Sequence, residues 1–286
     1  MLVDFAIKRH REDAASHKTI KANIFHIRHY LLLRTKKTFS FGDFTYLHDI
    51  IIAIKNKNPI PEGCIPFTDI VVVKIIKEFN KLGITKNSWF YYVLRTACVF
   101  AWGFMLRCSE YTRTFYWEAP LVSDITFLTG KNNTPVIQYR LERRKTNTHG
   151  ITEYIAIPCT CDDFKLCCYH TIKKYLKRRK KHGINSQFLF SYIYAQQWKS
   201  LSAATFRREL QTVLKIIYQS TYNPKIHRAH SFRYGGITTL GNVGIPQQYI
   251  RRISGHSPKS KVLEQYLKMA PKTVASLIKQ YYKWKC

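Results

Sequence analysis

The sequence predicts a mainly α-helical protein with a small antiparallel β-sheet, organised as two domains. Apolar residues recur at helical spacing through residues 1–60 and again in several later segments. Prolines and a glycine then break the pattern, which indicates a linker at 61–66 between a first domain at 1–60 and a second at 67–286. Helical spacing also disappears between residues 121 and 157, where strand-like runs replace it.

The first domain is predicted to hold two helices. One begins after Ser16, and the other runs over residues 41–55. Their apolar stripes consist of Ile20, Ile24, Ile27 and Leu31, and of Leu47, Ile50, Ile51 and Ile54. A small basic helical domain of this kind is usually a binding module or a packing cap rather than a catalytic unit.

The second domain is predicted to open with two helices, one at 68–82 that ends at Gly83 and one at 88–106. The latter is hydrophobic on all sides, so we expect it to be buried. The basic run near residue 175 is expected to lie on a helix face exposed to solvent or phosphate. The remaining predicted elements are strands at 124–128, 136–140 and 151–157, and helices at 170–181, 202–218 and 271–285.

The charge of the chain indicates a polyanionic partner. Lys and Arg number 47 against 17 Asp and Glu, a formal net charge of +30, and such a field suits nucleic acid best. A membrane surface is the competing partner, but the only run of spanning length, residues 89–106, carries Arg95 at its middle. Without a recognisable signal peptide, we expect a soluble intracellular protein with reduced thiols.

The stretch from residue 230 to residue 266 carries the clearest chemical signal. His230 and Arg233 stand three residues apart, so on a helix they share one face. Gly235 and Gly236 follow directly, and a helix tolerates two glycines where another backbone comes close. A second short helix is predicted to begin near Pro246 and to end at Gly255.

This stretch suits an anion. His256 follows the predicted second helix, Tyr266 lies ten residues further on, and no carboxylate intervenes before Glu264. Arginine forks hold phosphate oxygens without losing their charge, and a tyrosine can act as a covalent nucleophile. The alternative interpretation is a basic helical hairpin with a buried tyrosine.

Five short boxes, taken in order, resemble the tyrosine recombinase (phage integrase) family over the whole chain. They are GFMLRCSEYT with Arg107, RKTNTHG with Lys145, HSFRYGG with His230 and Arg233, ISGHS with His256, and EQYLK with Tyr266. Two positions depart from the family's pattern. Met105 stands where the family usually has Gly, and the interval from His256 to Tyr266 is one residue longer than usual.

The resemblance implies a helical core-binding domain of the SAM-like type followed by a catalytic domain with the DNA breaking-rejoining fold. It implies cleavage of duplex DNA through a 3′-phosphotyrosyl intermediate, with no cofactor, metal or ATP. Tyr266 would be the nucleophile and Lys145 the general acid for the leaving 5′ oxygen. The remaining residues would hold or protonate the phosphate: Arg107, His230, Arg233 and His256.

The resemblance also implies double-stranded DNA as the partner and a homotetramer on two DNA sites. Protomers would exchange a C-terminal segment, here the helix predicted at 271–285. A virus or mobile element is the expected source, with a nuclear location if the host is eukaryotic. The alternatives are a type IB topoisomerase-like enzyme and a catalytically silent DNA-binding protein on the same scaffold.

Each candidate residue also has a structural interpretation. Arg107 could pair with Glu110, and Lys145 could contact a phosphate without transferring a proton. His230 or His256 could be a buried histidine whose ring nitrogens are bonded within the protein. Tyr266 could belong to the core, with Tyr281 and Tyr282 as poorer candidates for the nucleophile.

A cysteine cluster stands apart from these boxes. Thiols and an imidazole crowd one short segment, and both are ligands that zinc prefers. The CxC and CC spacings differ from the usual CxxC knuckle, so we expect reduced thiols that pack a loop, with a structural zinc ion as the alternative. The residues are Cys159, Cys161, Cys167, Cys168 and His170.

Overall fold

A computed structural model describes residues 2–13, 15–36, 45–57, 64–142, 144, 152–161 and 166–256. The chain forms two compact units, Met1–Gly63 and Cys64–Cys286. No helix among the described residues combines the length and the apolar character that a membrane span requires.

The first unit holds three described helices: α1 (Leu2–Arg11), α2 (His17–Thr35) and α3 (Thr45–Lys57). The Ser16 side chain accepts a hydrogen bond from the Thr19 backbone and caps α2, as the sequence predicts. The predicted stripes converge on a small core made of Ala6, Ile20, Ile24, Leu47, Ile51 and Ile54. Helix α1 was not predicted from the sequence, because its ten residues are too few to be helical without tertiary packing.

The second unit is built around α5 (Ser88–Gly103), which packs against α4 (Asp69–Thr85). Burial of α5 on all sides is confirmed, because eleven of its sixteen residues are buried. Two predicted ends were wrong: α4 continues through Gly83, and α5 stops at Gly103 rather than residue 106. Two further helices, α6 (Cys168–Lys181) and α7 (Ala203–Tyr218), lie near their predicted positions.

The predicted three-stranded antiparallel sheet is confirmed. Its strands are β1 (Ile125–Thr129), β2 (Pro135–Leu141) and β3 (Glu153–Pro158), with β2 in the middle. Alternate residues of β2, namely Ile137, Tyr139 and Leu141, face the core. A hairpin of β4 (Ser191–Tyr194) and β5 (Gln197–Ser200) was missed, since four-residue strands give too short a pattern.

Two short helices position three of the candidate residues: α8 (His230–Asn242) contains His230 and Arg233, and α9 (Gln247–Ser254) ends two residues before His256. Pro246 is the N-cap of α9, and Gly255 closes it in the left-handed conformation with φ of 64°, as expected of a C-cap glycine. The helix predicted at 271–285 lies outside the described residues.

Candidate active site

Arg107 follows the end of α5 and is held by its neighbour Glu110. The Arg107 guanidinium donates to the Glu110 carboxylate over 2.8 Å, and the Arg107 backbone N–H donates to the same carboxylate over 2.8 Å. The Glu110 side chain is fully buried, whereas one fifth of the Arg107 side chain stays exposed. The Arg107–Glu110 ion pair, the structural alternative for Arg107, is therefore present. It orients the Arg107 guanidinium, part of which still reaches solvent.

Arg233 is fully buried beneath the surface of the site. Its Nη1 donates to the Met105 carbonyl over 2.8 Å, and its Nη2 lies 3.3 Å from both ring nitrogens of His256. The guanidinium therefore connects α8 to the segment between α5 and Arg107, and to the turn after α9.

Met105 stands where the first box of the family usually has Gly, and its backbone has a conformation that favours glycine. Its φ is +52°, in the left-handed region that glycine enters without steric cost. The side chain is buried with Ile237 and Ile250, so apolar packing offsets the strain of the Cβ atom. Met105 thus forms the turn that directs its own carbonyl to Arg233.

His256 is oriented by Ser254. The Ser254 hydroxyl donates to the Ile250 carbonyl over 2.6 Å, and its oxygen lies 2.7 Å from His256 Nδ1. With its hydrogen directed to the carbonyl, the hydroxyl accepts from His256, so the proton of the neutral ring is on Nδ1. Nε2 then carries the lone pair beside Arg233.

Both histidines are neutral near pH 7. Burial, followed by the charges of Arg233 and Arg107, lowers the pKa of His230 from 6.5 to about 4. Burial and the same two arginines lower the pKa of His256 to about 3. A bound phosphate would add negative charge and favour protonation, so these imidazoles can take up a proton when an anion enters.

An open groove adjoins Arg107 and His230. It has a volume of about 470 Å³, and no carboxylate is among the described residues that line it. Arg207 from α7 and Arg228 from the turn before α8 extend the positive charge along the groove, with Gln211 beside them. Neither arginine was predicted from the sequence as a site residue. Nothing in the local pattern marks either residue as part of the site.

Arg144 is a further residue that the sequence analysis missed. Its side chain is fully buried, lies 3.2 Å from the Glu153 carboxylate, and approaches Glu110 to 3.8 Å. Its Nη2 donates to the Ile253 carbonyl over 2.8 Å, and it packs directly against Gly255. Arg144 directly precedes Lys145, so these contacts join the chain beside Lys145 to the turn that carries His256.

The two consecutive glycines of α8 are explained by close backbone approaches. A Cβ atom on Gly235 would lie 1.8 Å from the Phe67 carbonyl oxygen, and one on Gly236 would lie 2.3 Å from the Trp102 carbonyl oxygen. The predicted close approach is therefore correct at both positions. It brings α8 against α5, and hence Arg233 against Met105.

The structure brings together four of the six candidate residues: Arg107, His230, Arg233 and His256. Lys145 and Tyr266 lie outside the described residues. Of the cysteine cluster, four members converge and the fifth, Cys168, is buried with its side chain against Gly103.

Several solved structures share this architecture. The XerH site-specific recombinase bound to a palindromic difH substrate, in a post-cleavage complex, matches over 98% of this chain and 72% of its own, with a TM-score of 0.60 and 11% identity. The Tn1549 transposon integrase with circular intermediate DNA matches over 93% and 79%, with a TM-score of 0.59 and 19% identity. A lambda integrase dimer bound to a COC′ core site matches over 92% and 68%, with a TM-score of 0.52 and 16% identity.

A scan against protein-family models found no match, and no curated protein matched in sequence. The structural likeness, at identities below 25%, rests on the course of the backbone over nearly the whole chain. It confirms the predicted fold class and the fold that the five boxes imply. The chain has the fold of the tyrosine recombinases.

Proposed function

We propose that the protein is a site-specific DNA recombinase that cuts and rejoins duplex DNA through a covalent 3′-phosphotyrosyl intermediate. The observation that carries the proposal is the convergence of Arg107, His230, Arg233 and His256 from three separate segments beside one basic groove. The solved relatives in fold are recombinases or integrases, and those named above were determined with DNA.

The residue types suit the transition state of phosphodiester cleavage. Attack on phosphorus gives a five-coordinate state with added negative charge on the non-bridging oxygens, and preorganised donors stabilise that charge. Arg107 and Arg233 supply guanidinium groups already oriented by Glu110 and by the Met105 carbonyl. The neutral imidazoles of His230 and His256 are able to accept or share a proton as the phosphate enters.

Tyr266 and Lys145 complete the proposed mechanism. The Tyr266 phenol would give its proton to His230 and attack phosphorus, which breaks the bond to the 5′ oxygen, and Lys145 would protonate that leaving oxygen to give the 5′ hydroxyl. Because the phosphotyrosyl bond conserves the energy of the broken bond, the 5′ hydroxyl of a second strand can reverse the step without ATP. Arg144, which precedes Lys145 directly, would hold the hairpin near the site.

The first test is a covalent-adduct assay on a nicked suicide duplex that carries a candidate site, without added divalent metal or ATP. The wild type is expected to give a DNA-linked protein band on a denaturing gel. Tyr266→Phe is expected to lose that band, and the matched variant Tyr281→Phe is expected to keep it. A band that persists in Tyr266→Phe would refute the assignment of the nucleophile.

Strand exchange separates a recombinase from a topoisomerase with the same chemistry. A recombinase joins strands of two duplexes that both carry the site, whereas a type IB topoisomerase relaxes supercoiled DNA as a monomer.

We propose a homotetramer on two sites, assembled through exchange of residues 271–285. The mass of the DNA complex by light scattering measures this directly, and deletion of residues 270–286 is expected to leave complexes with one DNA site.

We also propose that residues 1–60 are a core-binding domain that contacts DNA beside the site. The basic residues at the end of α1, Lys8, Arg9, His10 and Arg11, support this role. The protein would accordingly be found with DNA in the cell. Removal of this domain is expected to weaken DNA binding, and an unchanged dissociation constant would contradict its role.

The basic groove gives a separate prediction about DNA binding. Arg207→Ala is expected to weaken binding to any duplex and to reduce the magnitude of the slope of log K against log salt by about 1, because one phosphate contact is lost. The measurement is fluorescence anisotropy at several salt concentrations. Arg208→Ala is the matched control, since Arg208 pairs with Glu209 and lies outside the groove. An equal effect of both substitutions would rule out a specific role for the groove.

A further inference from the structure

Four side chains of the cysteine cluster converge on one point. The ligand atoms of Cys159, Cys161, Cys167 and His170 all lie within 4.8 Å of one another. The Sγ atoms of Cys159 and Cys167 are 3.6 Å apart. His170 Nδ1 lies 3.4 Å from the Cys159 sulfur, 2.9 Å from the Cys161 sulfur and 3.4 Å from the Cys167 sulfur.

Hydrogen bonding alone does not account for this convergence. Nδ1 of a neutral imidazole has either one lone pair or one hydrogen, so it forms one hydrogen bond. Three sulfur atoms nevertheless surround it. A central cation bound by all four atoms explains why every ligand atom is directed to the same point.

Three of the separations fit the edges of a tetrahedron around zinc. Bond lengths of about 2.3 Å to sulfur and about 2.0 Å to nitrogen give edges of roughly 3.5 to 3.8 Å. Three of the four measured separations, 3.4, 3.4 and 3.6 Å, agree with these edges to within about 0.2 Å. Three thiolates and one imidazole in this arrangement are a ligand set that selects zinc over the harder Mg²⁺ and Ca²⁺.

Once Cys168 is left out, the four ligands form two pairs with the spacings C-x-C and C-x-x-H. Cys167 is the N-cap of α6 and His170 lies in its first turn, so their separation of three residues places both on one face. Cys168 is directed into the core, so it cannot contribute.

We propose that Cys159, Cys161, Cys167 and His170 bind one structural zinc ion. All four positions are filled by protein, which is typical of a structural site rather than a catalytic one. The ion joins the end of β3 to the start of α6, and thereby fixes the sheet whose β2–β3 connection contains Lys145. The site shares no residue with the proposed catalytic set, so it stands whether or not the chain is a recombinase.

The test is the metal content of the full chain, purified without a chelator and freed of any histidine tag, by mass spectrometry of the metal. The wild type is expected to hold one zinc per chain. Cys161→Ala, which removes an exposed ligand at little packing cost, is expected to reduce zinc to background. Cys168→Ala is the matched control and is expected to keep one zinc per chain.

A cobalt titration of the wild type tests the proposal even if a variant does not fold. Wild-type protein prepared in cobalt is expected to show thiolate-to-metal charge transfer and the visible bands of tetrahedral Co²⁺, and one equivalent of zinc is expected to abolish both. Zinc that stays far below one per chain on titration would overturn the proposal. A Cys159–Cys167 disulfide in freshly purified protein would overturn it as well.

Discussion

Replacement of Arg233 by lysine is expected to lower the rate of DNA cleavage by about 10²- to 10³-fold, the usual cost of one preorganised donor at a transition state. Lysine carries the same charge but lacks the planar fork that bonds the Met105 carbonyl and His256 at the same time. The lysine ammonium group would remain buried but would lack the pair of contacts that orients the guanidinium. The measurement is the single-turnover rate of adduct formation at saturating DNA.

The control for Arg233→Lys is Arg179→Lys, a second buried arginine far from the proposed chemistry in sequence. Arg179 donates to the Leu189 and Ser186 carbonyls and to the Ser191 hydroxyl, and none of these three residues is a candidate site residue. Its replacement is expected to cost stability comparable to that lost in Arg233→Lys, with cleavage near the wild-type rate. If both variants lose cleavage equally, loss of stability rather than loss of a phosphate ligand explains the effect.

Replacement of Gly235 by alanine is expected to lower the free energy of unfolding by more than about 3 kcal/mol, in the range reserved for severe core defects. The new Cβ would lie 1.8 Å from the Phe67 carbonyl oxygen. The Phe67 backbone cannot retreat freely, because its carbonyl accepts from Trp102 Nε1 over 3.1 Å and its N–H donates to the Ser231 carbonyl over 3.0 Å. Urea denaturation monitored by tryptophan fluorescence measures the loss.

Gly83→Ala is the matched control for this substitution. Gly83 also lies inside a helix, but its Cβ would meet Tyr91 at 3.4 Å, an ordinary contact. Alanine is favoured over glycine in a helix by about 1 kcal/mol, so this variant is expected to be neutral or more stable. A stability loss of similar size in both variants would show that the Phe67 contact is not responsible.

Much of the candidate site could be predicted from sequence because its residues lie in short local patterns. His230 and Arg233 are one helical turn apart, and Gly255 with His256 marks the end of a helix. Their roles in the chemistry stay a prediction until cleavage is measured. The assignments of Lys145 and Tyr266 rest on the resemblance of their boxes to the family, since both residues lie outside the described residues.

The cysteine cluster shows what sequence spacing leaves open. The CxC and CC pairs do not reveal that adjacent Cys167 and Cys168 point in different directions at the start of α6, Cys167 toward the cluster and Cys168 against Gly103. In a helix, residues three apart share a face and residues one apart do not. The pairing of Cys167 with His170 follows from that geometry, but only the fold shows that Cys159 and Cys161 meet them.

The sequence by itself determined the fold class, the three-stranded sheet, most helices and the order of the functional boxes. These features depend on periodicity, capping and turn residues, which act over a few neighbouring positions. Only the tertiary structure decided how Arg144, Arg207 and Arg228 join the site, and why Met105 can replace a glycine. Those answers depend on contacts between residues far apart in the chain, and no local pattern encodes such contacts.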